Sequence, residues 1–185
     1  MKIKKFTFSL LFTTTAMLLV GCSSSQYVMD SDYDVHGKFK EYRSFAFMSN
    51  SYSGNGDYEE QIVKNTLFKR LVSMGYRYDE VSPDLLVSCK FFYQETRMVG
   101  FEQSNLSHWL KYEAGGQEQQ NPKHKNYYKQ KVNLPADSYT IFLVDAKTNR
   151  MIWKGYSGQP EPWSHEQQLV ASITRVMDDY AVVAY

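Results

Sequence analysis

The sequence is poor in the residues and motifs that mark enzymes and metal proteins. It has two cysteines, and its four histidines (His36, His108, His124 and His165) form no H-x-x-x-H pair and stand beside no Cys motif, the spacings that zinc sites use. It also lacks G-x-S-x-G, S-x-x-K and a glycine-rich phosphate loop. The sequence therefore predicts no cofactor, no metal site and no catalysis. A catalytic dyad assembled in space leaves no such motif, so an enzyme stays an alternative.

The sequence has neither a long hydrophobic run nor a cluster of basic residues. The longest uncharged, mainly apolar run covers residues 6–20, which is shorter than the roughly 20 residues needed to cross a bilayer. Lys2, Lys4 and Lys5 precede it, so the segment has the basic start and apolar centre of a signal peptide. Because no clustered basic face is present elsewhere, nucleic-acid binding is not expected.

The apolar run ends in Leu19-Val20-Gly21-Cys22, which resembles the lipobox of bacterial lipoproteins. The resemblance implies cleavage between Gly21 and Cys22, a diacylglycerol on the Cys22 thiol and a further acyl chain, such as palmitate, on the new amino terminus. Several acyl chains give a stable membrane anchor. Residues 22–26 would form the lipidated start and a flexible polar tether. The alternatives are an ordinary signal peptide and a buried helix that happens to contain a cysteine.

The residue after Cys22 is Ser23, not the Asp that is linked with inner-membrane retention in enteric bacteria. We therefore expect a protein held by lipid at the cell outer membrane, on its periplasmic face. The 164 residues that follow Gly21 suit a single domain over 27–185. Three of the 21 basic residues lie in the signal segment, so 18 basic residues remain against 20 acidic ones.

Once Cys22 carries a lipid, Cys89 is the only thiol in the sequence, so an internal disulfide cannot form. Val87 and Phe91 flank Cys89 on the same face of a predicted strand. An apolar setting of this kind indicates a buried, inert thiol. The alternative, a nucleophile, would need a partner base.

Alternation of apolar and polar residues predicts several strands. The predicted strands cover residues 27–35, 44–48, 85–97, 139–144 and 150–156. The last two are joined by a turn that ends at Asn149, a residue type that tolerates positive φ, and this pattern is typical of a hairpin.

Two segments, residues 57–74 and 165–180, have apolar residues at helical spacing. Gly75 supplies the stop of the first helix and Ser164 the cap of the second. The buried stripes are predicted to be Ile62, Val63, Leu67, Leu71 and Met74 in the first helix, and Leu169, Ile173, Val176 and Tyr180 in the second. The element order predicts an α+β domain, with an antiparallel or mixed sheet and two amphipathic helices packed on one face.

Residues 100–137 form a polar excursion without a sustained period, with room for a short hairpin. Such a long insertion in a compact domain is often functional. It carries Trp109, Tyr112, Tyr127 and Tyr128, and exposed aromatic residues near Lys or Arg favour contacts with a protein or glycan. The alternative is that these rings pack the excursion back onto the sheet.

Several segments resemble the bacterial lipoproteins grouped as domain of unknown function 4136. The matching features are an Asp-rich first strand, Phe39 and Tyr42 before Ser44-Phe45, a helix that closes on Gly75-Tyr76, Ser82-Pro83-Asp84-Leu85-Leu86-Val87, residues 142–149, Ile152-Trp153-Lys154-Gly155 and the closing amphipathic helix. The resemblance covers roughly residues 27–182 except the excursion, where the family often has a Gly-rich stretch and a clearer strand. It implies an envelope lipoprotein with an α+β fold, and it implies no activity, because the family has none assigned.

Asp30, Asp32, Asp34 and Glu41 follow the order of acidic ligands in a calcium-binding EF-hand loop. However, Val35 stands where that loop needs glycine, and the segment is predicted to be a strand. Alternate residues of a strand lie about 7 Å apart on one side, which is too far for the three carboxylates to share one ion comfortably. We therefore expect a solvated acidic face.

Two main hypotheses follow for function. The first is a non-catalytic binding or structural module of the cell envelope, held to the membrane by its lipid and in contact with an envelope protein or glycan. The alternative is an envelope hydrolase with a site near the 100–137 excursion. A weaker third option is a binder of a small apolar ligand between sheet and helices. A cleft with converging polar groups of perturbed pKa would favour the enzyme, and a flat aromatic surface would favour the first hypothesis.

Overall fold

The computed structural model describes residues 28–48, 57–112, 128–158 and 166–184, which form eight strands and three helices. The strands are β1 (Val28–Tyr33), β2 (Ser44–Phe47), β3 (Arg77–Tyr78), β4 (Leu85–Phe92), β5 (Thr96–Glu102), β6 (Tyr128–Leu134), β7 (Ser138–Asp145) and β8 (Arg150–Gly158). The helices are α1 (Asp57–Ser73), α2 (Leu106–Tyr112) and α3 (Glu166–Asp178). In these four ranges, no helix is long and apolar enough to span a membrane.

Six strands form one mixed sheet in the order β1-β8-β7-β4-β2-β3. The pairs β1–β8, β8–β7 and β7–β4 are antiparallel, whereas β2 is parallel to both β3 and β4. Alternation along β4 buries Leu85, Val87, Cys89 and Phe91, as the period-two pattern predicts. The predicted α+β fold with a mixed sheet is confirmed.

Helices α1 and α3 pack beside each other and run in the same direction. The Tyr58 hydroxyl donates to Glu166 Oε2 at 2.8 Å near their first turns, and Arg70 pairs with Asp178 near their last turns. Every residue of the two predicted apolar stripes is buried. Gly75 has a φ of 91° just after α1, which confirms the predicted left-handed stop.

The two helices cover one face of the sheet, and a ribbon of two further strands lies against the other. Strands β5 and β6 form a two-stranded antiparallel ribbon. Lys154 and Thr140 contact Val99 and Met98 of this ribbon, whereas Tyr139, next to Thr140, bonds to Ser172 of α3. Because successive side chains of a strand point to opposite faces, the ribbon lies opposite the helices.

Two predictions made from the sequence are corrected in this region of the structure. The predicted strand over residues 85–97 is interrupted, because β4 ends at Phe92 and β5 begins at Thr96 after a bend. The excursion likewise contains more regular structure than a short hairpin, since α2 follows β5. The short edge strand β3 was not predicted, and its two residues are too few for an alternation pattern to show.

Candidate functional site

The predicted acidic run of β1 is divided among separate partners. Asp30 Oδ2 accepts a hydrogen bond from the Tyr156 hydroxyl at 3.3 Å, while Asp32 pairs with Lys154. The described ranges contain no group of three or more Asp, Glu, His or Cys residues that could hold a metal ion. The expectation of a solvated acidic face is wrong at Asp32, which is only 3% exposed, because the ribbon covers it.

Asp32 and Lys154 form an ion pair that is buried between the sheet and the ribbon. Asp32 Oδ2 lies 3.0 Å from Lys154 Nζ, and the two side chains are 4% and 8% exposed. This contact lacks the alignment of a hydrogen bond. The remaining contacts go to the ribbon: the Phe101 amide donates to Asp32 Oδ1 at 2.9 Å, and Lys154 Nζ donates to the Val99 carbonyl at 2.7 Å. The pair therefore ties β1 and β8 to β5.

The outer edge of β1 is closed by a side chain of the segment between β5 and α2. The Tyr33 amide donates to Gln103 Oε1 at 3.0 Å, and Gln103 Nε2 donates to the Tyr33 carbonyl at 2.9 Å. The Ser31 amide, on the same edge, donates to Asp30 Oδ1 at 2.8 Å. Exposed strand edges can pair with other chains, and these side chains occupy that edge.

A cleft of about 330 Å³ opens where β1, β8 and the ribbon meet. Its walls are formed by Asp32, Tyr33, Asp34, Val35, His36, Phe101, Gln103, Met151 and Lys154. It lies beside the excursion, as the enzyme hypothesis requires. It combines apolar side chains with acidic and basic groups, and is the strongest candidate site among the described residues.

Asp34, one of the titratable groups that line the cleft, has a pKa below the ordinary value. Partial burial acts to raise its pKa, but hydrogen bonds from the His36 amide and ring and the charge of Arg150 outweigh burial and lower it. Asp34 Oδ1 lies 2.9 Å from the His36 amide and 3.0 Å from its Nδ1, and Oδ2 pairs with Arg150. A lowered carboxyl pKa keeps Asp34 ionised and suits an ion pair better than a general acid.

The predicted aromatic surface is corrected at Trp109. This residue is 7% exposed, and its ring centroid lies 5.5 Å from that of Tyr33 and 6.0 Å from that of Phe39. The packing alternative therefore applies to this residue, because α2 brings its apolar side onto the core. Tyr127 lies outside the described residues, and so do the side chains of Tyr112 and Tyr128.

The remaining candidate residues are placed as follows. Cys89 is fully buried, and desolvation raises the pKa of its thiol well above the ordinary value, which fits an inert core thiol. His36 and His108 are exposed, while His124 and His165 lie outside the described ranges. Gly21 and Cys22, the predicted cleavage and lipidation positions, also lie outside them.

A larger groove of about 410 Å³ runs between α1 and α3. Most of the residues that line it are of polar types, including Gln61, Asn65, Lys69, Glu166 and Thr174. Among the described residues, the ion pair at this groove, Arg70 with Asp178, is partly exposed, in contrast to the buried pair of the cleft. The cleft beside β1 therefore remains the better candidate.

The chain is thus an α+β protein. The charged groups of its candidate site form ion pairs with one another. Residues 29–180 match the family described as Domain of unknown function (DUF4136), and the chain belongs to this family. No curated protein matches its sequence significantly.

Solved structures show similarity in fold. A PDZ domain protein from Parabacteroides distasonis matches with a TM-score of 0.53 and 16% identity over 95% of this chain. This chain spans 40% of that protein's length. The PelC dodecamer from Paraburkholderia phytofirmans matches at a TM-score of 0.46 and 8% identity, over 86% of this chain and 99% of that one. These likenesses concern the fold alone.

Proposed function

We propose that the protein is a lipid-anchored module of the bacterial cell envelope, which binds or supports other envelope components and catalyses no reaction. We place it at the outer membrane, on the periplasmic face. The anchoring part of the proposal is supported by Leu19-Val20-Gly21-Cys22 at the end of a basic and then apolar segment.

The observation that carries the non-catalytic part is the internal pairing of the charges in the cleft. Asp32 is engaged by Lys154 and the Phe101 amide, and Asp34 by Arg150 and His36. These contacts hold loops and strands together. A general acid or base works best with a pKa near the operating pH and needs access to a proton of the substrate. Asp32 is instead buried beside Lys154, and the contacts of Asp34 lower its pKa, away from that range.

An envelope hydrolase is the second candidate, favoured by the position of the cleft next to the excursion. We do not propose the third candidate, a small apolar ligand between sheet and helices. That interior is filled by fully buried side chains, including Leu67, Trp153 and Ile173.

The anchor is tested by the intact mass of protein extracted from its own membranes. We expect a chain that begins at Cys22 and carries acyl chains, and we expect the Cys22→Ala variant to lack them. Cys89→Ala is the matched control, because it removes the other cysteine and should leave the acyl chains in place. An unlipidated wild-type chain would refute the anchor.

Catalysis is tested separately. The purified protein is incubated with isolated envelope material, and soluble products are measured by mass spectrometry. We expect no product beyond the level of a buffer blank. Products that appear with the wild type and disappear with Asp34→Asn would refute the non-catalytic proposal and favour the hydrolase. In a separate experiment, crosslinking in intact cells from Val99, an exposed residue of the ribbon, would identify the neighbouring envelope component.

A further inference from the structure

We infer that the lipidated protein stands on its bilayer with the Val28 end of the sheet facing the lipid and the turn at residues 146–149 facing away. This inference rests on the proposed lipidation of Cys22. Val28, the first residue of β1, follows Cys22 by six positions. An extended chain spans at most about 3.3–3.6 Å per residue, so Val28 must lie within roughly 20 Å of the anchored cysteine.

The strand register shows which parts of the domain share the Val28 end. Val28 pairs with Gly158, the last residue of β8. Ser157 then pairs with Tyr139 near the start of β7, and Ser138 pairs with Phe92 at the end of β4. Since neighbouring strands lie about 4.8 Å apart, the bend after Phe92 is only about 15 Å across the sheet from Val28.

Both long helices also begin at this end. The Tyr93 hydroxyl donates to Glu59 Oε2 at 3.3 Å, which joins the end of β4 to the first turn of α1. The Tyr58 hydroxyl in turn donates to Glu166 at the start of α3. The first turns of α1 and α3 therefore lie beside the bend and would face the bilayer.

The opposite end of the sheet contains the turn between β7 and β8. The paired strands β4 and β7 have eight residues each, so they separate the two ends by about 25 Å at roughly 3.3 Å per residue. Lys147 lies in that turn, where its amide donates to Asp145 Oδ1 at 2.9 Å. A tether of about 20 Å cannot bring this end to the membrane while Val28 is turned away from it.

Acidic residues predominate at the end that would face the lipid. Glu59, Glu60, Glu95, Asp137 and Glu166 lie there against Lys64, Lys90 and Arg97. Like charges repel over about 8 Å at physiological ionic strength. The short tether therefore keeps the Val28 end near the bilayer, while repulsion between like charges keeps the domain from docking on an anionic surface.

The experiment uses lipidated protein in vesicles that carry an energy acceptor on the lipid headgroup. A donor dye is attached to Gln94→Cys, in the bend after β4, or to Lys147→Cys in the far turn. Both positions are exposed. The buried Cys89 and a Cys22 that carries lipid on its sulfur leave the introduced cysteine as the reactive thiol.

We expect energy transfer from position 94 to exceed that from position 147 by roughly twofold or more, because of the separation of about 25 Å. At low salt, anionic lipid should lower the transfer from position 94 relative to neutral lipid, and 1 M salt should remove this difference. The orientation alone would be overturned if protein whose intact mass shows the acyl chains gave equal energy transfer from the two positions, or more transfer from position 147. A chain without acyl groups would overturn the proposed function and this inference together.

Discussion

The carboxamide of Gln103 makes with Tyr33 the two hydrogen bonds that a neighbouring strand would make. Its Oε1 accepts from the Tyr33 amide at 3.0 Å, and its Nε2 donates to the Tyr33 carbonyl at 2.9 Å. β1 is one of the two edge strands of the six-stranded sheet. Because unpaired edges recruit other strands, this side chain both anchors the excursion and protects the edge.

Replacing Gln103 by Ala should therefore open the edge of β1. We expect a loss of about 1–3 kcal/mol in the free energy of unfolding, for two hydrogen bonds, and a concentration-dependent increase in self-association. Urea unfolding and analytical ultracentrifugation measure the two effects. Gln130→Ala, which removes an exposed glutamine from β6, is the matched control and should change neither. A stable, monomeric Gln103→Ala variant would show that the edge needs no such protection.

The buried pair of Asp32 and Lys154 should be strongly coupled in stability. Asp32→Leu and Lys154→Met each leave a buried charge without its partner, and we expect each to cost about 3–5 kcal/mol in unfolding free energy. The double variant buries no charge and should lose far less than the sum of the two. A double-mutant cycle by urea denaturation measures this coupling. Additive losses would mean that the two charges do not stabilise each other.

The ring of Trp153 leaves no room for a side chain at Gly155. A Cβ atom at Gly155 would overlap the Trp153 ring and the Val176 side chain, and all three residues are buried. We therefore expect Gly155→Ala to lower the unfolding free energy by about 1–3 kcal/mol through overpacking. Thermal or urea unfolding checks this. Trp153→Phe removes the ring atoms nearest to Gly155. In that background, Gly155→Ala should therefore lower the unfolding free energy by less than it does in the wild type.

Asp34 should make the stability of the fold depend on pH in the acidic range. Its pKa in the folded protein lies below the ordinary value: burial opposes the shift, and the hydrogen bonds from His36 and the charge of Arg150 produce it. Such a group stabilises the fold above its unfolded pKa of about 3.9, and the contribution is lost as pH falls through the folded pKa. Asp34→Asn should thus lose about 0.5–1 kcal/mol near pH 7 and approach the wild type as the pH falls through the folded pKa.

Urea unfolding of the wild type and Asp34→Asn between pH 7 and pH 3 measures this difference. Asp178→Asn is a useful control, because Asp178 also pairs with an arginine but is 56% exposed. A gap between wild type and Asp34→Asn that stays constant with pH would mean that the two side chains differ in packing and not in charge.

Cys89 should be protected from thiol reagents in the native state. Its side chain is fully buried, and burial raises the pKa of the thiol, so little thiolate is exposed to react. In the Cys22→Ala variant, we expect almost no modification under native conditions and one thiol per chain in denaturant, measured by a colorimetric thiol assay. Rapid native modification would show that the strand around Cys89 opens easily.

The helices and several strands could be predicted because their signals are local. Each apolar stripe follows the 3.6-residue period, so residues such as Leu67 and Ile173 identify the face that is buried wherever the helix packs. Asn149 likewise marks a turn by its own tolerance of positive φ, and it has a φ of 54°. These signals need no knowledge of the partner element.

The cleft could not be predicted in this way. An alternating strand such as β1 shows which residues share a face, but does not show what covers that face. The sequence therefore predicted a solvated Asp32, whereas the ribbon covers it. It left Trp109 as a candidate for partner contact, whereas α2 carries this residue onto the core. The excursion has no sustained period, so its strands and helix left little local signal.

The sequence by itself determined the two long helices, five strands of the six-stranded sheet, the α+β class, the family and a buried core thiol. It also carries the lipobox resemblance, on which the proposed anchor depends. Only the tertiary structure decided that Lys154 neutralises Asp32 and that Gln103 closes the edge of β1. The physical reason is that ion pairs and edge contacts join residues far apart in the chain, and their partners are chosen by packing and burial rather than by any local pattern.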